Sequence, residues 1–135
     1  EFAARGMTLK TRLLRSESFA KVRPNLGGWV AAFDASVADS PLVLRAARAG
    51  DRIQPLGMTG SKKLSDLLID AKWPRIQRGD VMVLERGGPG NDGPRDIIWV
   101  PGLRVCDHFK VTNRTRTILH VELTGGPRGL VPDQR

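Results

Sequence analysis

Gly50-Asp51-Arg52-Ile53-Gln54-Pro55-Leu56-Gly57-Met58-Thr59-Gly60-Ser61-Lys62-Lys63-Leu64-Ser65-Asp66-Leu67-Leu68-Ile69-Asp70-Ala71-Lys72-Trp73-Pro74-Arg75 organises the rest of the chain around it. It sets a turn, a short extended segment, a glycine-bracketed loop and an amphipathic helix in succession. Gly50-Asp51 is turn chemistry, residues 52–56 are extended up to Pro55, and Gly57 and Gly60 bracket the loop. Leu64, Leu67, Leu68 and Ala71 recur at i, i+3, i+4 and i+7, the stripe of a helix with one buried face. Ser61 is the expected N-cap, because its hydroxyl can accept from an amide one turn on. The helix should stop near Lys72 or Trp73, since Pro74 disfavours the α conformation in the residue before it.

On that reading Lys62 and Lys63 occupy the first helical turn, where the macrodipole is already positive. The arrangement is locally unfavourable for two cations but suits an anion, and phosphate is the commonest such anion. The alternative is a pair of solvated lysines. The other charges of the helix make a solvated face: Lys62 can pair with Asp66 at i, i+4, and Asp66 and Asp70 share a side. Ile69 falls opposite the leucine stripe and should face outward. Gly57-Met-Thr-Gly-Ser-Lys-Lys63 does not have the Walker spacing, so no nucleotide cradle is inferred. Gly57-Met-Thr-Gly60 spells the GXXG of a KH domain, but it follows a proline-containing extended segment instead of joining two helices, and is read as chance.

Outward from this core, strands are expected at residues 41–45, 81–84, 97–100, 103–105 and 117–123, with weaker alternation at 8–14 and 29–33. Residues 87–95 hold four glycines and two prolines and read as a hairpin loop. The resulting class is α+β, a mainly antiparallel sheet with one central amphipathic helix packed on a face. One domain is expected over 41–123, preceded by an N-terminal segment at 1–40 and followed by a disordered, glycine- and proline-rich tail at 124–135. Glu1-Phe2 is what an EcoRI site encodes, so the first residues are expected to be vector-derived.

A net charge of +8 points to an anionic partner. Lys and Arg outnumber Asp and Glu by 6 to 4 in residues 1–40, 9 to 5 in 41–86 and 7 to 5 in 87–135, so basicity is built into the folded body and peaks around the helix. No apolar run is long enough to span a bilayer, no signal-peptide pattern opens the chain, and the lone Cys106 excludes an internal disulfide; the expected compartment is the cytoplasm. Catalytic groups are not expected. Cys106, Asp107 and His108 are consecutive and point apart, which argues against a nucleophilic dyad. With His120 they offer too few ligands, wrongly spaced, for zinc, so no metal site is expected. Cys106 and Trp99 read as core, and His120 as a solvent-facing or hydrogen-bonded strand residue.

Gly50-Asp51-Arg52, Pro55-Leu56-Gly57-Met58, Gly60-Ser61-Lys62-Lys63-Leu64-Ser65-Asp66, Ile69-Asp70-Ala71-Lys72 and Pro74-Arg75, followed by Ile98-Trp99-Val100-Pro101-Gly102-Leu103-Arg104-Val105 and Phe109-Lys110-Val111-Thr112, resemble the C-terminal domain of tRNA(Ile)-lysidine synthetase in order and spacing across residues 42–123. That resemblance implies a module gripping the acceptor-stem side of tRNA while a separate N-terminal domain uses ATP and Mg to join lysine to the wobble cytidine. The Ser-Gly-Gly-x-Asp-Ser loop of that domain is missing from this sequence, so neither the chemistry nor its cofactors belong here. Gln54 stands where the family often has a basic residue, and 87–95 reads as an insertion. Arg45, Arg48, Arg52, Lys62, Lys63, Lys72, Arg75 and Arg78 are the expected RNA-binding residues, acting on phosphates as point charges and bidentate forks. The rival expectation is a structural domain that docks on the catalytic domain or forms a homodimer through the helix.

Overall fold

The computed structural model describes residues 2–4, 7–72, 81–87 and 96–125, with side chains from residue 7 onward except that of Arg104. Residues 73–80, most of the 87–95 loop and residues 126–135 lie outside the described residues, and with them Trp73, Arg75 and Arg78.

Among the described residues ten strands form two four-stranded sheets and one small ribbon. The first sheet has the order β1-β2-β10-β3, built from Phe2–Ala4, Met7–Arg15, Thr117–Gly125 and Val30–Asp34. The second has the order β4-β7-β8-β9, from Leu42–Ala46, Met82–Arg86, Asp96–Val100 and Arg104–Val105. The ribbon pairs β5 (Arg52–Ile53) with β6 (Lys62–Lys63). Every ladder is antiparallel, and the mixed α+β class is as the sequence implies.

β10 is the axis of the first sheet. It runs two residues past its expected end, and its register opposes Thr117 to Arg15 at one extreme and Gly125 to Met7 at the other. β3 flanks its other edge, from Ile118 opposite Asp34 to Glu122 opposite Val30. The segments read as weak strands within 1–40 therefore hold both sides of a strand whose sequence lies mostly within 41–123. β2 and β3 are each antiparallel to β10 and so parallel to each other, joined by a crossover that carries the short helix α1 (Phe19–Val22).

Side chains alternate across a sheet, so Leu119, Val121 and Leu123 share a face with Met7, Leu9, Ala31 and Phe33. That face enters a continuous core with Leu44, Ile53, Val83, Leu84, Ile98, Trp99, Val100 and Cys106 of the second sheet and its connections. Four consecutive residues of β7, Met82 to Glu85, are buried, which requires cover on both faces of the second sheet. The helix α2 (Leu64–Asp70) contributes Leu64, Leu67 and Leu68 to the same core.

Between the sheets, the Gly102 amide donates to the Gly28 carbonyl at 2.6 Å and the Asp34 amide to that of Phe109 at 2.8 Å. Arg86 lies 4.8 Å from the Phe109 ring centroid while its Nε donates to the Val37 carbonyl at 2.9 Å.

Candidate nucleic-acid interface

The local reading of α2 needs correcting at its start. Lys62 and Lys63 belong to β6, and Lys63 is the N-cap residue, in an extended conformation with no side-chain capping bond. Ser61 instead accepts from Arg52 Nε at 2.9 Å, and the Leu64 amide finds its acceptor in the Asp51 carbonyl at 2.9 Å. The ribbon wins because pairing with Arg52–Ile53 satisfies backbone groups that a helical turn starting at Ser61 would leave orphaned. Lys62 reaches past Asp66 to form an ion pair with Asp70. The helix closes at Ala71, and Lys72 follows in the left-handed region with φ 57°.

Arg45 projects from β4 into a network that leaves it little to offer a ligand. Its two terminal nitrogens donate to Asp51 at 3.0 and 2.9 Å, and Nε and Nη2 reach Glu85 at 3.3 and 2.9 Å. These hydrogen bonds, that to Asp51 foremost, push the guanidinium pKa further up against the opposing effect of burial. Burial alone would raise the Asp51 carboxyl, but the Arg45 hydrogen bonds, the Arg48 amide at 2.7 Å and the nearby charges outweigh it and hold the carboxyl below its ordinary range. Arg45 thus ties β4, the 47–51 turn and β7 together.

The other described cations of the expected RNA-binding set separate into two groups. Arg52 is exposed but engaged with Ser61, and Lys62 with Asp70. Arg48, Lys63 and Lys72 are exposed; Arg48 approaches Glu85 only to 3.9 Å, and among the described residues Lys63 and Lys72 make no ion pair. Arg48 and Lys63 line one depression of about 330 Å³ between the 47–51 turn and the start of α2. The turn and the helix, which are separate in sequence, thereby bring two cations to a shared concavity. Ile69 stands outward, 55% exposed.

Around Gln54, the side-chain amide donates to the Met58 carbonyl at 2.9 Å, shaping the loop. Asp107 accepts from the Gly57 amide at 3.0 Å and from Lys110 at 3.1 Å, which hold its carboxyl below the ordinary range. It pins the loop and is not poised beside a nucleophile. Cys106 is buried, and burial pushes its thiol up. No group of three or more metal-ligating side chains occurs among the described residues. His120 is 7% exposed and its side chain makes no hydrogen bond among the described residues, so the exposed or hydrogen-bonded ring expected is instead largely covered on the outward side of the sheet. β10 is a central strand with neighbours on both sides, which a strand pattern alone does not reveal.

The sequence reading missed the cations of the first sheet, Lys10 and Arg12, which are exposed on β2. Their i, i+2 spacing within an alternating segment was the available signal.

Comparison with known proteins places these features in a family. The family model described as the TilS substrate C-terminal domain matches residues 42–123. The chain is 34% identical over 126 residues to the tRNA(Ile)-lysidine synthase of Symbiobacterium thermophilum, covering 93% of this chain and 24% of that protein. It is 38% identical over 93 residues to the enzyme of the same name from Geobacter sulfurreducens, covering 69% and 18%. The chain thus spans about a quarter or less of the length of these curated relatives. A solved structure titled as the TILS C-terminal domain superposes with TM-score 0.66 at 28% identity, covering 90% of this chain and 85% of that one. An N-terminal fragment of the phenylalanyl-tRNA synthetase β-subunit from Pyrococcus horikoshii, with TM-score 0.53 and 14% identity over 82% of this chain and 32% of that one, shares the fold alone. Matched over a stretch that carries α2, the whole second sheet and most of β10, the chain belongs to the family of TilS substrate C-terminal domains.

Proposed function

We propose that this chain is the tRNA-binding module of a cytoplasmic tRNA(Ile)-lysidine synthetase, gripping acceptor-stem phosphates while a separate catalytic domain, with its ATP and Mg, makes lysidine at the wobble cytidine. The observation that carries this reading is the convergence of exposed Arg48 and Lys63 on one depression, with Lys72 at the far end of the same helix. The Arg45–Asp51–Glu85 network holds the turn that presents Arg48. Such a surface neutralises phosphates and reads shape, with few contacts to bases. Arg75 and Arg78 extend the basic run in sequence. The chain itself carries no catalytic step in this proposal.

The 55% exposure of Ile69 favours a second role, docking of α2 against another domain of the synthetase or another copy of the chain. Mobility shift of the 135-residue chain with total tRNA and with double-stranded DNA across a salt series tests the proposal. Binding of tRNA should weaken with salt by roughly 0.7 to 0.9 log units per log unit for each phosphate neutralised. Absent or salt-independent binding overturns the RNA reading and leaves docking. ATP hydrolysis or lysine transfer by the chain alone overturns the division of labour.

A further inference from the structure

The outward face of the first sheet carries a site that the α2 surface does not include. β2 and β10 pair over nine rungs, which places Lys10 directly opposite Glu122 and Arg12 directly opposite His120. By the alternation of strand side chains all four lie on the face turned away from Leu119, Val121 and Leu123. They line a concavity of about 350 Å³ together with Thr11. Arg116, exposed, follows at the next extension of the pairing, where its carbonyl accepts from the Ser16 amide at 2.9 Å.

None of these cations is engaged in an ion pair among the described residues, although Lys10 and Glu122 are cross-strand neighbours. Residues i and i+2 of a strand are roughly 6.5 to 7 Å apart, so Lys10 and Arg12 present two charges from a rigid platform toward one small space. Beside them His120 is almost fully enclosed and its pKa is lowered, first by burial and then by the charge of Arg12, with Glu122 acting in the opposite sense. A simple anion trap would gain nothing from a carboxylate in its wall. A ligand that brings a hydrogen-bond donor next to its phosphate would suit Glu122, and the ribose of RNA does so through its 2′-hydroxyl.

We propose that the Lys10, Arg12, His120 and Glu122 pocket is a second contact for the RNA sugar–phosphate backbone, with the two cations on a phosphate and Glu122 accepting from the neighbouring 2′-hydroxyl. The inference rests on the RNA-binding reading and deepens it, because it makes the interface two-sided and selective for RNA over DNA. The bland alternative, a solvated sheet face, leaves binding indifferent to these residues.

The test uses the 135-residue chain with a short RNA hairpin and its DNA counterpart, followed by fluorescence anisotropy over a salt series. Combined Lys10→Glu and Arg12→Glu replacement should weaken RNA binding tenfold or more. Simple loss of the two contacts should also flatten the salt slope by about one and a half units. Glu122→Gln should reduce the preference for RNA over DNA. In the unaltered chain, added RNA should shift the His120 ring signals in NMR and raise its titration midpoint, because a phosphate offsets the Arg12 charge. Normal RNA binding by the folded double variant, with loss on Lys63→Ala, overturns this site and leaves the α2 surface standing. An equal effect of Glu122→Gln on RNA and DNA overturns the hydroxyl contact, and no RNA binding at all by the unaltered chain overturns both readings. Should the double variant fail to fold, unmoved His120 signals in the unaltered chain overturn the site on their own.

Discussion

Asp51 shows how one carboxylate can hold the proposed binding surface in shape. It accepts from Arg45 and from the Arg48 amide, so it supports the turn that carries Arg48 outward. The Arg45–Asp51 pair is part-buried and Arg45 keeps Glu85, so Asp51→Asn, which removes charge-assisted hydrogen bonds without stranding the guanidinium, should cost about 1 to 2 kcal/mol in urea denaturation at neutral pH. The pH dependence has a definite sign. The folded-state pKa of Asp51 is depressed, as is that of Asp34, held down by the Ser36 amide and the Thr115 hydroxyl. Both contribute stability that is present above the ordinary carboxylate pKa of about 4 and lost as pH falls below it. Urea midpoints measured between neutral pH and pH 3 should therefore drop more steeply for the unaltered protein than for Asp51→Asn. Lys72 offers a complementary separation of stability from binding. A side chain at φ 57° costs about 1 to 2 kcal/mol, partly offset by the unfolded-state entropy that glycine adds, so Lys72→Gly should stabilise by about 0.5 to 1 kcal/mol. The same change removes one exposed cation, so tRNA binding should weaken while the melting temperature rises.

At the scale of elements, α2 is a seven-residue helix that could not persist alone. Leu64, Leu67 and Leu68 hold it to the core, and the Asp51 carbonyl receives its first amide. Its exposed residues are therefore free to serve a partner. Lys63→Ala should leave the melting temperature unchanged, since the side chain makes no capping bond, and should reduce the salt slope of tRNA binding by about 0.7 to 0.9. Ile69→Glu discriminates the second role: unchanged stability with disrupted association, read by analytical ultracentrifugation with the rest of the synthetase, marks α2 as a docking face. Unchanged association leaves Ile69 as ordinary exposed surface.

For the whole molecule, the first sheet joins sequence from outside the family-matched region to β10 within it. A chain reduced to residues 42–123 would lose Met7, Leu9, Phe33 and Val37 from the core, each worth about 1.5 to 3 kcal/mol of burial, against a typical net stability of 5 to 15 kcal/mol. That fragment should lack a cooperative thermal transition in circular dichroism; a sharp one would show that the second sheet and α2 fold on their own. Local periodicity, and residue order that survives divergence, were enough for the buried leucines Leu64, Leu67 and Leu68, the strands of the second sheet, the outward Ile69 and the family, whereas Ala71, expected to continue the stripe, is the exposed C-cap of a helix that ends one residue earlier. The sequence by itself could not reveal that Arg45 is consumed by Asp51 and Glu85, since Glu85 is brought to it by the β4–β7 pairing from forty residues away. Ser61 as the cap failed for a related reason: the pairing of β5 with β6 claimed the backbone one step before the helix could start. Lys10 and Arg12 became a pocket only because β10 returns from the other end of the chain to lie beside β2, and such long-range pairing leaves no trace in a window of neighbours.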